Sequence, residues 1–183
     1  MIGTASNPAE KSPHRLRAIW RVGALCAGVL ALAGCKRMDE GQMRSILSGW
    51  VPLGDTVFFQ ATGACAVGVF QIADPRIAAP MPVAGSAREA ATILNSQGQV
   101  AIVAPRLTPD VALLHLIAIQ GEAGTKMRMA GLEGRACMDL AAETTFASAL
   151  INPSAVLLMD RDTGLMALLD TEDGLLIATM GSE

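Results

Sequence analysis

The sequence predicts a single small α+β domain in which helices pack on antiparallel strands and a β-meander closes the chain. Three observations point to this fold class. β-branched and aromatic residues on both sides of Thr62-Gly63 indicate a hairpin. Ser86 and Glu89 have the spacing of a helix-capping box. Near the carboxyl end, three short apolar runs are separated by acidic turns that end in glycine, which is typical of a meander.

The first half of the domain is predicted to contain five elements. Apolar residues at helical spacing indicate a short amphipathic helix over 43–51, and the following proline ends it. Two strands joined by a tight turn are expected over 56–72. Three prolines make 73–85 a surface loop. The capping box starts a helix over 86–98, and the all-apolar run 100–104 is predicted to be a buried strand.

The second half is predicted to be helical before the meander begins. Thr108, with proline and aspartate after it, has the pattern of a helix start. The run 111–120 that follows is so apolar that we expect its helix to be buried nearly all round, although its leucines and isoleucines could equally form a strand. Apolar residues at steps of three and four predict a further helix over 125–150, although Gly131 and Gly134 weaken it by about 1 kcal/mol each. The Asn-Pro pair that follows is expected to end it.

The end of the chain contains an internal repeat. "DRDTGL" from Asp160 and "DTEDGL" from Asp170 share the pattern Asp-x-x-x-Gly-Leu at a spacing of ten residues. Asp160, Asp162 and Gly164 also resemble the opening of a calcium loop. However, the fifth position lacks an oxygen ligand and no glutamate occupies the twelfth. The repeat is therefore interpreted as two hairpin turns, whose glycines supply positive φ angles.

The first 34 residues have the organisation of a secretory signal. Residues 1–21 contain four basic side chains and a single acid, and 22–34 is an apolar run without charge. Such a run is too short to span a bilayer comfortably, since a spanning helix needs about 20 residues, but it suits a signal-peptide core.

The signal ends in Leu32-Ala33-Gly34-Cys35, which resembles the lipobox of bacterial lipoproteins. The resemblance implies cleavage between Gly34 and Cys35 and attachment of lipid, including palmitate-type acyl chains, to Cys35. It further implies a periplasm-facing protein held by this lipid in the bacterial cell membrane or outer membrane. Two or three acyl chains give stable anchoring. The alternative is an ordinary signal or an uncleaved anchor, with Cys35 an unmodified apolar residue.

These features divide the chain into a signal peptide at 1–34, a lipidated tether at 35–42 and a single α+β domain at 43–183. The mature part contains two further cysteines, Cys65 and Cys137. In an oxidising compartment a disulfide between them is expected. It would close a loop of about 70 residues, worth about 4 kcal/mol in the chain-entropy model.

Composition excludes several classes of function. Residues 35–183 contain 10 basic and 16 acidic residues, a net charge of −6. This charge argues against nucleic acid as a partner, because phosphate binding needs a basic surface. No phosphate-binding loop, dinucleotide-binding glycine pattern or nucleophile elbow occurs, so we assign no cofactor and no catalytic residue. Zinc needs three or four ligands, and with one mature histidine we assign no metal site either.

The sequence therefore predicts a lipid-anchored cell-envelope protein that binds a partner, with another envelope protein as the candidate, or has a structural role. Two alternatives stay open. His115 could be the base of a small periplasmic hydrolase, although its apolar neighbours favour a core histidine. Met127 and Met129 could offer thioether ligands to copper, although methionines more often fill irregular cores.

Overall fold

The computed structural model describes residues 38–181, which form a seven-stranded sheet and five α-helices. The helices are α1 Glu40–Ser48, α2 Ala87–Gln97, α3 Pro109–Ile119, α4 Gly121–Gly134 and α5 Leu140–Ile151, with a 3-10 turn Arg135–Cys137 after α4. The strands are β1 Leu53–Ala61, β2 Ala66–Ile72, β3 Val83–Ala84, β4 Gln99–Ile102, β5 Val156–Asp160, β6 Met166–Asp170 and β7 Leu175–Met180. The predicted α+β class is confirmed.

The strands are arranged in the order β1-β2-β7-β6-β5-β4-β3. Neighbouring strands are antiparallel except β3 and β4, which run parallel. The last three strands lie side by side in chain order, which confirms the predicted meander. The hairpin at Thr62-Gly63 is also confirmed, because β1 and β2 pair with Ala61 opposite Ala66. Within the loop predicted at 73–85, only the two-residue β3 is regular structure.

The sheet separates two hydrophobic clusters, because successive side chains of a strand point to opposite faces. On β6, Met166 and Leu168 pack beneath α2, α3, α4 and α5. Ala167 and Leu169 of the same strand pack on the other face, together with residues of α1. The described chain therefore covers one face of its sheet with four helices and the other with α1 and its flanking loops.

Helix α1 begins earlier than the sequence analysis predicts. Asp39 Oδ1 accepts a hydrogen bond from the N–H of Gln42 (2.8 Å), and Gln42 Oε1 accepts one from the N–H of Asp39 (3.3 Å). This reciprocal capping box starts the helix at Glu40. The prediction of a tether over 35–42 is therefore wrong for residues 40–42, which belong to the first helix of the domain.

The helix predicted over 125–150 is in fact two helices. α4 ends at Gly134, and the 3-10 turn then leads to Asp139, whose side chain accepts a hydrogen bond from the N–H of Ala142 (2.8 Å). This cap starts α5 as a helix separate from α4. The prediction of one helix is wrong because apolar spacing alone does not reveal a cap. The predicted end at Asn152 is confirmed, since α5 stops at Ile151.

Two predicted helix starts are present with different contacts. Ser86 caps α2 by accepting from the N–H of Glu89 (3.3 Å), as predicted, but the Glu89 carboxylate accepts from the N–H of Gly85 (2.8 Å) instead of Ser86. At the start of α3 the Thr108 hydroxyl donates to the Asp110 carboxylate and caps no backbone N–H.

Among residues 38–181, none of the helices combines the length and the apolar content needed to cross a membrane.

Candidate functional site

The predicted lipidation site lies outside the described residues. Cys35, the cleavage point after Gly34 and the signal peptide at 1–34 all precede Met38, the first residue that the structure describes. Met38 packs against the hydrophobic cluster that includes residues of α1, on the face of the sheet opposite the other four helices. The anchor therefore stays a prediction from the sequence.

His115 is not a core residue, so the expectation of a buried histidine is wrong. Leu113 and Leu116 of α3 are buried, whereas His115 lies on the outer side of the helix and is exposed. Within residues 38–181 no group forms a hydrogen bond with its imidazole. The described part of the chain therefore holds no assembled pair of base and nucleophile at His115, which a serine hydrolase would need.

Met127 and Met129 point to different sides of α4. Met127 is fully buried in the cluster beneath the four helices, whereas Met129 is 43% exposed. Residues two apart on a helix do not share a face. The two thioethers are thus not placed to bind one copper ion together. Among the described residues, no three His, Cys, Asp or Glu side chains are grouped to hold a metal.

Cys65 and Cys137 lie at disulfide-bonding distance, with an S–S separation of 2.05 Å and a Cα–Cα separation of 6.1 Å. This geometry is consistent with the predicted disulfide. The pair connects the residue before β2 with the 3-10 turn after α4. A bond here fastens the end of α4 to the sheet, next to the groove described below.

A groove of about 340 Å³ lies among the outer helices and is the main candidate site. α3 packs against both α4 and α5, while α4 and α5 make few contacts with each other, and this leaves a gap in the helix layer. Seven apolar side chains line the gap: Leu113, Leu114, Leu132, Phe146, Ala147, Leu150 and Met166. Met166 belongs to β6, so the gap reaches down to the sheet.

The lips of the groove leave apolar surface in contact with solvent. Leu114 of α3 is 52% exposed and Leu132 of α4 is 49% exposed. The expectation that α3 is buried nearly all round is therefore wrong, because the helix lies in a single outer layer with only one side on the sheet. Concave apolar surface with a few polar groups at its mouth is the usual form of a ligand site.

Three charged residues line the mouth of the groove. The Arg135 guanidinium donates hydrogen bonds to the Glu143 carboxylate and forms an ion pair with it. On the α3 side, the Asp110 carboxylate accepts from the Thr108 hydroxyl. Arg128 makes no hydrogen bond or ion pair with any residue of 38–181. The mouth thus carries one guanidinium whose charge is not balanced by a contact.

Gly131 lines the groove on the α4 side. A Cβ atom at this position would lie 3.1 Å from Cε of Met166 and 3.5 Å from Cζ of Phe146, which both line the groove. The other interior glycines of α4 are also closely packed. A Cβ at Gly124 would lie 2.5 Å from the backbone nitrogen of Ile117, and one at Gly134 would lie 2.8 Å from Cβ of Thr179.

The sequence analysis missed this site, although a local signal exists. Arg128, Gly131, Leu132 and Arg135 are spaced by three and four residues and therefore share one helical face. This set of two arginines, a glycine and a leucine on one helical face is the local trace of the α4 wall in the sequence. The other wall, from α3 and α5, depends on tertiary packing and has no local signature.

Comparison with protein families, curated proteins and solved structures finds no match to this chain.

Proposed function

We propose that the protein is a lipid-anchored binding protein of the bacterial cell envelope and that the groove between α3, α4 and α5 is its binding site. The lipobox ending at Cys35 supports the anchor. The binding role is supported by the apolar groove, whose volume of about 340 Å³ falls within the range of roughly 300 to 1,000 Å³ typical of small-molecule sites. Met38 and the groove occupy opposite faces of the sheet.

The groove is the single observation that carries the proposal. Its walls are preformed by packed helices, and its lips expose Leu114 and Leu132 to solvent at a cost of about 25 cal/mol per Å² of apolar surface. A ligand that covers these side chains would recover that free energy. An exposed apolar patch beside a concave surface is characteristic of binding sites.

The anchor is tested by the intact mass of the protein extracted from membranes of the producing cells. A mass that begins at Cys35 and includes acyl chains supports the proposal. A mass that retains residues 1–34 contradicts it.

The binding site is tested by placing a photo-crosslinking amino acid at Leu132 in the full chain. The matched control carries it at Val57, which lies on β1 and is similarly exposed, at 57%. After irradiation of whole cells, the intact mass should show a small-molecule adduct at Leu132 and none at Val57. Equal or absent adducts at both positions would overturn the binding role of the groove.

A further inference from the structure

We propose that the groove binds a molecule with one acyl chain and one anionic head group, and that Arg128 holds the head. The inference names the ligand class of the groove and so rests on the proposed function. Two features of the structure lead to it: the volume and apolar lining of the groove, and the unpaired guanidinium of Arg128 at its mouth.

The size and lining of the groove suit a single apolar chain. The groove reaches Met166 of the sheet and is lined mainly by apolar side chains of α3, α4 and α5. The volume of about 340 Å³ lies near the lower end of the range for ligand sites, which fits one acyl chain better than two.

Gly131 brings α4 into close contact with the base of the groove. A Cβ atom at this position would lie 3.1 Å from Cε of Met166 and 3.5 Å from Cζ of Phe146. A larger side chain at 131 would therefore have to displace these two residues and crowd the lining of the groove.

The charges at the mouth select the head group. Arg135 is paired with Glu143, while Arg128 has no partner among the described residues. A guanidinium with free N–H donors at the edge of an apolar site favours a carboxylate or a phosphate. Asp110 on the α3 side repels an anion, so the head is expected on the α4 side, next to Arg128.

The test uses membranes from cells that produce the full chain and a photoactivatable, alkyne-tagged fatty acid. Labelling is expected on peptides from α3, α4 and α5, and an untagged fatty acid should compete. A lysophosphatidic acid probe with the same tagged chain distinguishes a carboxylate head group from a phosphate. Whichever of the two probes saturates labelling at the lower concentration carries the head group that the groove prefers.

Two pairs of variants test the head-group contact and the apolar part of the groove separately. Arg128→Gln should raise the half-saturating concentration of the fatty acid probe about tenfold, as expected for loss of a charged hydrogen bond. A fatty alcohol probe with the same chain but no anionic head should keep its half-saturating concentration. Arg88→Gln, which removes another exposed arginine without a described partner, should change neither. Gly131→Leu should abolish labelling by both probes, whereas Gly121→Leu, in open space on the same helix, should retain it.

The outcomes distinguish this inference from the proposed function. Full labelling of Gly131→Leu, or an equal effect of Arg128→Gln on acid and alcohol, would overturn the acyl-chain assignment. If the probes fail to label the groove but the Leu132 crosslinker still captures a small molecule, the ligand class is wrong and the binding site stands. If neither the lipid probes nor the Leu132 crosslinker captures a molecule in the groove, the ligand class and the binding site are both wrong. Because Arg128 is an exposed surface residue, its variant is expected to fold even if Gly131→Leu does not.

Discussion

Asp160 and Asp170 close two successive hairpin turns with the same set of hydrogen bonds. In each, Oδ1 accepts from the backbone N–H groups two and three residues ahead, at 2.8 and 3.1 Å for Asp160 and at 3.0 and 3.2 Å for Asp170. In each, Oδ2 accepts from a side-chain amide, that of Gln99 or of Asn152. Both carboxylates are buried. The ten-residue repeat is therefore a repeated turn, as the sequence analysis predicts.

Removing either carboxylate should destabilise the domain. Asp170→Ala leaves two backbone N–H groups and the Asn152 amide without their acceptor, and we expect a loss of about 1–3 kcal/mol in the free energy of unfolding. Urea denaturation measures it. Asp173→Ala is the matched control, because this exposed carboxylate in the same turn accepts no hydrogen bond within the described chain. Equal stability of the two variants would contradict the role given to Asp170.

Replacing Thr179 by valine should stabilise the protein. The Thr179 side chain on β7 is fully buried beneath α4, and its hydroxyl has no hydrogen-bond partner among residues 38–181. Valine has nearly the same shape and removes an unsatisfied polar group, so the free energy of unfolding should rise by about 1 kcal/mol. The exposed Thr171→Val, in the turn before β7, should have little effect. A drop in the urea midpoint of Thr179→Val would show that an unseen partner satisfies the hydroxyl.

Loss of the Cys65–Cys137 pair should weaken the domain without unfolding it. The cysteines are 72 residues apart, and a bond across such a loop contributes about 4 kcal/mol in the chain-entropy model. Removal of a native disulfide from small secreted domains typically costs about 2–5 kcal/mol. The double variant with alanine at both positions should therefore denature at lower urea than the parent. Alkylation of the unreduced parent is the direct check on the bond. Modification of either thiol would contradict the disulfide.

Local chemistry explains which parts of the fold could be predicted. The hairpin turns, the start of α2 and the end of α5 depend on residues within a few positions of each other, and all are found where predicted. The start of α5 has an equally local signal in Asp139, which apolar spacing obscured because Ala136 and Leu140 continue the pattern across the break.

Exposure and the groove could not be predicted in the same way. The sequence of α3 is apolar on nearly every side, so nothing local indicates that Leu114 and His115 face outward. Their exposure follows from the position of α3 in a single helix layer. The groove likewise arises because α4 and α5 diverge after the 3-10 turn, a tertiary arrangement that leaves Phe146 and Met166 at its base.

Arg44 fastens α1 to the edge of the sheet and provides the last prediction. Its guanidinium donates to Thr56 Oγ1 and to the carbonyl oxygen of Gly54, both at 2.8 Å, and lies 5.4 Å from the centre of the Phe70 ring. The Thr56 hydroxyl in turn donates to Glu40 (2.7 Å). β1 is an edge strand with irregular pairing around Thr56, so these contacts occupy groups that the sheet leaves unpaired.

Both Arg44→Ala and Arg44→Lys should lower the free energy of unfolding, by about 1–3 kcal/mol for alanine and by somewhat less for lysine. Lysine retains the charge but lacks the planar fork that reaches two acceptors while stacking on a ring. Hydrogen exchange should become faster at β1 and at the end of α1 before it changes in the meander. Arg88→Ala, on the exposed side of α2, controls for loss of a surface arginine. If Arg44→Lys matches the parent in both stability and exchange, the charge alone matters and the two-acceptor contact contributes nothing measurable.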